Sequence, residues 1–349
     1  MNHGWKYITS DECFSSITPK SKIEKKYYSE GHLIPIISQE EEFISGYWDN
    51  YSDITPHERP IVIFGDHSRV LKYIDFDFVV GADGVKILLP NESIDAKFLY
   101  YYLKWKDVPS LGYSRHFKLL KDYNYLCPPI IRQAEIVSEL DKINELIGVK
   151  RNQLKDLDAL AQSLFYETFG DPIDNPKGWE TEKFGNICEL SAGGDKPADT
   201  QQEMNAERNI PVYSNGIDNE GLYGYTSEPR ITKPSLTISG RGTLGVPFIR
   251  KTPYVPIIRL IVAIPTSVVN LSFLYYLVKI MKFGGKGAAI PQLTVPMVKD
   301  VVLPVPPLAL QEQFAERIEA IEEQKRRVEA SIADLKTLLA SRMDYWFND

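Results

Sequence analysis

The chain contains one long segment twice. Residues 128–133 (Pro-Pro-Ile-Ile-Arg-Gln) recur as residues 306–311 (Pro-Pro-Leu-Ala-Leu-Gln), an offset of 178 positions. At the same offset the match continues to Asp171 in the first copy and to Asp349 in the second. A repeat of this length and regularity predicts two copies of one structural unit.

Both copies carry apolar residues at spacings that alternate between four and three. With charged residues on the flanks, this a/d pattern predicts two long helices, and the Pro-Pro pairs fix where they begin. A narrow apolar stripe needs a partner helix, so we predict antiparallel pairing within one chain, with Ile143 and Leu335 in one layer. Alternatively, each helix packs only on its own domain. The predicted interface residues are Ile136, Leu140, Ile143, Leu154, Leu157, Phe314, Ile318, Ile321, Ile332 and Leu335, and the second stripe continues through Leu339, Arg342 and Trp346.

The segments before the two helices also resemble each other. Residues 34–38 (Ile-Pro-Ile-Ile-Ser) parallel residues 210–214 (Ile-Pro-Val-Tyr-Ser), while the sequences between such anchors differ. The predicted fold class is α+β: two similar mixed α/β domains separated by two long helices that form an antiparallel coiled coil, a pseudo-twofold repeat. The predicted boundaries are 1–130 for the first domain, 131–170 for the first helical region, 171–177 for a linker, 178–306 for the second domain and 307–349 for the second helical region.

Charge is distributed unevenly along the chain. The formal net charge is −7, yet the stretch from Pro229 to Lys299 has no Asp or Glu and ten Lys or Arg residues. One face of the C-terminal half should therefore be electropositive within an acidic protein, as expected for a nucleic-acid partner.

Several classes of protein are excluded by what the sequence lacks. No apolar run reaches the roughly 18 residues that span a bilayer, and the first residues do not form a secretion signal. The three cysteines have no metal-ligand spacing, so we expect a cytoplasmic protein with reduced thiols. A Walker loop, a nucleophile elbow and the Pro-Pro-Tyr/Phe motif of amino-methyltransferases are all missing. We therefore expect no catalytic residue, no metal site and no cofactor in this chain, and no membrane partner.

A glycine-rich segment, Gly240-x-Gly242-x-x-Gly245, follows a predicted strand and looks like a dinucleotide-binding fingerprint. Val246-Pro247 and another strand follow it instead of a helix, and an acidic residue is missing some twenty positions on. We interpret it as a tight strand–loop–strand turn with Arg241 facing phosphate.

Other polar loops supply further candidates for DNA contact. A second glycine-rich basic loop contains Lys282 and Lys286, for which a solvated turn and a phosphate-binding loop are equally good interpretations. His67 has no second ligand at metal spacing, so it is treated as a loop residue. Arg, His and Gln are the side-chain types that reach base edges. The predicted DNA-binding residues are His67, Arg69, Arg115, His116, Lys118, Arg230, Lys233, Arg241, Lys282, Lys286 and Gln292.

The order and duplication of these motifs resemble one known family, the specificity subunits of type I restriction–modification systems. The resemblance covers essentially the whole chain and rests on the duplicated Pro-Pro-x-x-x-Gln helix starts, the Gly-Trp openings at residues 4–5 and 178–179, and the strand-then-Gly segments at residues 64–67 and 240–245. It implies two target-recognition domains, each followed by a conserved helical region.

The resemblance also implies a function. A bipartite site in double-stranded DNA would be read by one domain per half, and two adenine methyltransferase subunits would dock on the helices. Restriction/translocase subunits are a further candidate partner. S-adenosylmethionine, ATP and Mg²⁺ would then be bound by the partner subunits. The alternative is a coiled-coil scaffold with two ligand-binding domains and no DNA role.

Overall fold

The computed structural model describes residues 5–31, 33–112, 114–281, 283 and 292–348. The chain divides into two compact units. The first unit contains the residues up to Arg151 and those from Ala330 onward, and the second contains Asn152–Glu329. Each unit therefore combines one domain with part of each long helix. The predicted boundaries of the domains and helical regions along the sequence stay a prediction.

The first unit contains two four-stranded sheets and one two-stranded sheet, with strand orders β2-β9-β6-β7, β3-β8-β4-β5 and β1-β10. The central strand β6 is entirely buried between β9 and β7, as its Ile-Val-Ile-Phe sequence predicts. The elements are β1 Lys6–Ile8, α1 Ser10–Cys13, β2 Phe14–Ile17, β3 Lys22–Ile23, β4 Ile34–Ile37, β5 Gly46–Trp48, β6 Ile61–Gly65, β7 Leu71–Ile74, β8 Val79–Gly81, β9 Val85–Pro90, α2 Ala96–Lys106, α3 Phe117–Lys121, β10 Tyr125–Cys127 and the long helix α4 Ile130–Phe169.

The second unit follows a similar plan, with a three-stranded sheet in place of one of the four-stranded sheets. Its strand orders are β12-β18-β15-β16, β14-β13-β17 and β11-β19. Strand β15, again buried, lies between β18 and β16. The elements are β11 Thr181–Lys183, α5 Phe184–Ile187, β12 Cys188–Ala192, β13 Ile210–Tyr213, β14 Leu222–Thr226, β15 Ser235–Ile238, β16 Pro247–Arg250, β17 Val255–Pro256, β18 Ile261–Pro265, α6 Leu271–Met281, α7 Val295–Lys299, β19 Val302–Pro304 and the long helix α8 Leu308–Phe347. The predicted duplication of one mixed α/β fold is confirmed.

The two long helices pack together, as predicted, and do not pack only on their own domains. In the second unit Lys325 Nζ lies 2.9 Å from Asp158 Oδ1, and the Phe314 ring lies 5.1 Å from the Phe169 ring. From Asp158 to Phe169 the residue numbers rise along α4, while those of their partners on α8 fall from Lys325 to Phe314. These two segments are therefore antiparallel. In the first unit the Glu139 carboxylate accepts hydrogen bonds from Arg342 and Trp346.

Most of the predicted interface residues are buried. Leu154 and Leu335 are half-buried, and the contact of Leu335 with Ile143 stays a prediction. The buried positions are Ile136, Leu140, Ile143, Leu157, Phe314, Ile318, Ile321 and Ile332.

At its end the second stripe departs from the predicted heptad. Met343 and Phe347 are buried, whereas Arg342 and Trp346 are half-buried and were wrongly predicted to continue the stripe. A straight α-helix has 3.6 residues per turn, so its buried face drifts relative to a 3.5-residue repeat. A final spacing of four, from Leu339 to Met343 to Phe347, follows that drift.

The glutamine of the duplicated Pro-Pro-x-x-x-Gln motif joins each domain to its helix. Gln133 accepts a hydrogen bond from the backbone N–H of Asp95 and donates to the carbonyl of Pro128. Gln311 makes the same bonds to Asn270 and Pro306. Both side chains are completely buried, so losing either would leave backbone groups without partners.

Candidate nucleic-acid interface

In each unit three loops meet at one edge of the sheets. We define the first loop cluster as residues 65–70, 82–84 and 110–118, without 113. The Asp66 N–H donates to the Gly84 carbonyl over 2.6 Å, and the His116 N–H donates to the Asp66 carbonyl over 2.8 Å. Backbone hydrogen bonds thus tie all three loops of this cluster together.

The second loop cluster, residues 240–246, 258–260 and 292–296, is the counterpart in the second unit. The Leu293 N–H donates to the Gly240 carbonyl over 2.8 Å. A Cβ atom on Gly240 would lie 2.8 Å from the Leu293 oxygen and 3.3 Å from the Arg259 oxygen. The close approach of the other two loops therefore requires glycine at position 240. This packing accounts for the first glycine of the segment that looks like a dinucleotide-binding fingerprint, without a bound nucleotide.

One carboxamide side chain bridges two loops in each cluster. In the first, Gln39 donates to the Asp83 carbonyl (3.0 Å) and accepts from the His67 N–H (3.1 Å). In the second, Asn215 donates to the Ile258 carbonyl and accepts from the Gly240 N–H, both over 2.6 Å. Sequence reasoning missed both, although Gln39 and Asn215 directly follow the paired segments 34–38 and 210–214.

The structure contradicts the prediction that His116 contacts DNA. Its side chain has no exposed surface. The Leu111 N–H donates to Nε2 over 2.9 Å, which leaves Nδ1 to donate to the Asp66 carbonyl, 2.9 Å away. A ring with both nitrogens satisfied inside the protein cannot reach a base edge, so His116 shapes the loop.

His67 and Arg69 are half-buried parts of the same framework. His67 Nδ1 lies 3.2 Å from the Ser114 carbonyl. Arg69 has a φ of +63°, and its guanidinium donates to the Val108 carbonyl over 2.8 Å. Both side chains therefore make contacts that position neighbouring loops.

Arg115 and Lys118 are the exposed basic residues among the predicted contacts of the first cluster. The exposed carboxylate of Asp83 lies in the same cluster and pairs with Lys22 Nζ over 2.8 Å. The hydrogen bond from Lys22 lowers the pKa of Asp83, and Arg115 lowers it further. The first cluster thus presents both signs of charge.

Arg241 and Gln292 come together in the second loop cluster, with Arg241 Nη2 3.4 Å from Gln292 Oε1. They line an open cleft of about 460 Å³ together with Arg259. Its described lining includes two arginines and no acidic side chain. Arg259 belongs to the acid-free stretch but was not among the predicted contacts.

The other predicted contacts of the second unit lie elsewhere or outside the described residues. Arg230 is exposed and donates to the Asp195 carbonyl over 2.8 Å. Lys233 lies 3.8 Å from Glu189 and is not among the residues that line the cleft. Lys282 and Lys286 lie outside the described residues.

Two further features of the described residues bear on function. They include no group of three or more His, Cys, Asp or Glu side chains that could hold a metal ion. None of the helices in the described ranges is long and apolar enough to cross a membrane.

Comparison with known proteins gives concordant results. Residues 176–336 match the family model described as the type I restriction modification DNA specificity domain. The chain is 30% identical over 267 residues to the "Putative type I specificity subunit S.MpnORF507P" of Mycoplasma pneumoniae, covering 73% of this chain and 72% of that protein.

Solved structures share the fold. The crystal structure of the type I restriction-modification system S subunit from M. genitalium superposes with a TM-score of 0.62 at 16% identity, covering 99% of this chain and 96% of that chain. A chain from a study of complex assembly and conformational transition of the type I R-M system gives 0.56 at 17% identity, covering 98% and 97%. By its sequence similarity to these relatives, and with the fold that it shares with the solved structures, the chain belongs to the family of type I restriction–modification specificity subunits.

Proposed function

We propose that this subunit reads a bipartite site in double-stranded DNA, one half with each loop cluster, and directs two adenine methyltransferase subunits to it. The observation that carries the proposal is one loop framework built twice with different exposed side chains. Asp83 occupies the turn between β8 and β9, and Arg259 occupies the corresponding turn between β17 and β18. Two similar loop clusters that expose different side chains suit the recognition of two different DNA sequences.

The exposed side chains have the chemistry that reading requires. Contacts to phosphates position a protein on DNA, and contacts to base edges specify the sequence. Arg115 and Lys118 in the first cluster, and Arg241 and Gln292 in the second, are exposed and include the arginine and glutamine types that bind base edges. Arg230 and Lys233, also exposed, serve as candidate phosphate contacts.

The chain itself would be non-catalytic. The methyltransferase subunits would dock on α4 and α8, bind S-adenosylmethionine and carry out the reaction, with restriction/translocase subunits binding ATP and Mg²⁺. The M. genitalium S subunit and the chain from the assembly study support a place in such a complex through their shared fold. We further propose that the complex acts in the cytoplasm, where host DNA is accessible. Family membership argues against a scaffold without a DNA role.

Methylation mapping tests this function. The chain and its methyltransferase subunits are expressed in a host lacking adenine methylation, and the methyltransferases are also expressed without the chain. We expect methylated adenines within one bipartite motif only when the chain is present. The same methylated sites without the chain, or methylation with no motif, would contradict the proposal.

A further inference from the structure

The turn between β17 and β18 has an unusual backbone. Ile258 and Arg259 both have positive φ, 51° and 59°, and the Leu260 N–H donates to the Ile257 carbonyl over 3.1 Å. Two successive positive φ angles in a β-turn are normally supplied by Gly, Asn or Asp. A β-branched residue and an arginine are both strained there, by roughly 1–2 kcal/mol each.

The surroundings hold this strained turn firmly. The Ile258 N–H donates to the Gly194 carbonyl and the Arg259 N–H to the Gly193 carbonyl, both over 3.0 Å. Asn215 also donates to the Ile258 carbonyl. Three hydrogen bonds with groups outside the turn thereby hold the backbone that carries Arg259.

The Arg259 side chain itself is exposed at the cleft that contains Arg241 and Gln292. Its guanidinium makes no hydrogen bond or ion pair with any residue in the described part of the chain. Glycine would adopt this turn at lower cost. Strain of this kind at a rigid, exposed position points to a role in binding.

The chemistry of the group suggests the ligand. A guanidinium presents a planar fork of donors, which matches the O6 and N7 acceptors of guanine in the major groove. The same fork also fits phosphate, but a phosphate contact only positions the protein, and a lysine on a flexible loop can make such a contact without backbone strain. Recognition of a base needs hydrogen-bond donors at a defined position. The hydrogen bonds that hold this turn fix the backbone from which the Arg259 donors extend.

We propose that Arg259 is a specificity-determining residue that reads a guanine in the half-site of the second unit. The inference rests on the proposed function. The corresponding turn of the first unit carries Asp83 and Gly84, so the same structural position would contribute differently to the two half-sites.

Three variants in the assembled methyltransferase test the proposal. Arg259→Gly relieves the strain and removes the donor, while Arg259→Lys keeps the charge and removes the fork. Asn219→Gly is the matched control, because Asn219 is exposed, lies in the same unit outside the loop cluster and has a φ of +47°. Each complex is assayed for its methylated motif, its binding to duplexes that differ at the guanine, and its melting temperature.

We expect both Arg259 variants to lose discrimination at one guanine of one half-site, by roughly 5- to 150-fold. The other half-site should be unchanged. Arg259→Gly should keep or raise the melting temperature, by up to about 4 °C, which excludes unfolding as the cause. Asn219→Gly should retain the motif of the wild type.

Other results would overturn the proposal. If both Arg259 variants keep the motif and weaken binding to all sequences alike, with the salt dependence lowered by about one unit, Arg259 contacts phosphate. A lower melting temperature for Arg259→Gly would mean that the side chain is structural. Failure of the proposed function is a separate result, because the wild-type chain would then direct no methylation at all.

Discussion

At the residue scale, the loop clusters depend on a few side chains that bond to backbone. Gln39 and Asn215 each join two loops through one carboxamide. Asp66, a buried residue of the first cluster, accepts with its side chain from the Phe117 N–H over 2.9 Å. These side chains hold the loops that carry the exposed arginines. Changes in them should alter binding indirectly, through loop position.

Replacing Asn215 with Ala should destabilise the second unit by about 1–3 kcal/mol, because two hydrogen bonds are lost. Asn215→Asp keeps the acceptor for the Gly240 N–H but places a carboxylate oxygen against the Ile258 carbonyl, so it should not restore the lost stability. Hydrogen exchange at the amide of Gly240 provides the measurement, with Gln39→Ala as the matched change in the first unit. Equal protection of the Gly240 amide in wild type and Asn215→Ala would refute a bridging role.

Asp199 makes the free energy of unfolding depend on pH in the acidic range. Hydrogen bonds from Thr226 and then from Ser227 lower the pKa of Asp199 from its usual 3.8 to about 2. Because the folded-state pKa is depressed, the stabilisation is complete above the unfolded value of 3.8 and is lost as the pH falls toward 2. We expect Asp199→Asn to melt below the wild type at pH 6, and the difference to shrink steadily below about pH 4. A constant difference down to pH 2.5 would contradict this.

At the element scale, both long helices end in an aromatic anchor. Phe347 packs edge-on against Phe98 at 5.5 Å between ring centroids, and Phe169 packs against Phe273 at 4.8 Å. The two residues occupy equivalent positions at the offset of 178. Each anchor joins the end of one long helix to a shorter helix of its unit, α2 in the first unit and α6 in the second.

Truncating either anchor should loosen its own unit. We expect Phe169→Ala and Phe347→Ala each to cost about 3–5 kcal/mol, through lost burial and the cavity left behind. Denaturation monitored by fluorophores placed separately in each unit would show which one melts first. Leu160→Ala, at a position 53% exposed on α4, is the control and should change stability by less than about 0.5 kcal/mol. If Phe347→Ala destabilised the second unit first, the assignment of its contacts would be wrong.

At the scale of the whole molecule, two units of similar topology carry different exposed residues. Each unit contains one domain with its own loop cluster, together with segments of α4 and α8. Because each loop cluster lies within its own unit, one reader can change while the other is retained.

Exchanging one domain should therefore change half of the target. If residues from about 178 to 305 are replaced by the corresponding domain of a relative, we expect one half of the methylated motif to change, because the first loop cluster is built entirely from the first unit. The reciprocal exchange of the first domain should change the other half. Methylation mapping would detect either outcome, and simultaneous changes in both halves would show that the readers are coupled.

The repeat, the two helix starts and the heptad spacing lie along the chain, so the sequence by itself was enough to predict the duplicated fold and the helix pair. It also located the basic loops, since Arg241 and Gln292 occur in segments whose composition is unusual. Periodicity and composition report on local structure and on amphipathic faces. They say which side of a helix is buried and which stretches are charged.

The tertiary structure decided which loop residues are available. His116 and Arg115 are neighbours in sequence, yet the first is completely buried and the second exposed, because Asp66 and Leu111 occupy both ring nitrogens of His116. Arg259 looks ordinary in the sequence, and only its positive φ and its place beside Arg241 mark it out. Burial and backbone strain depend on contacts between residues far apart in the chain, and local pattern carries no record of those contacts.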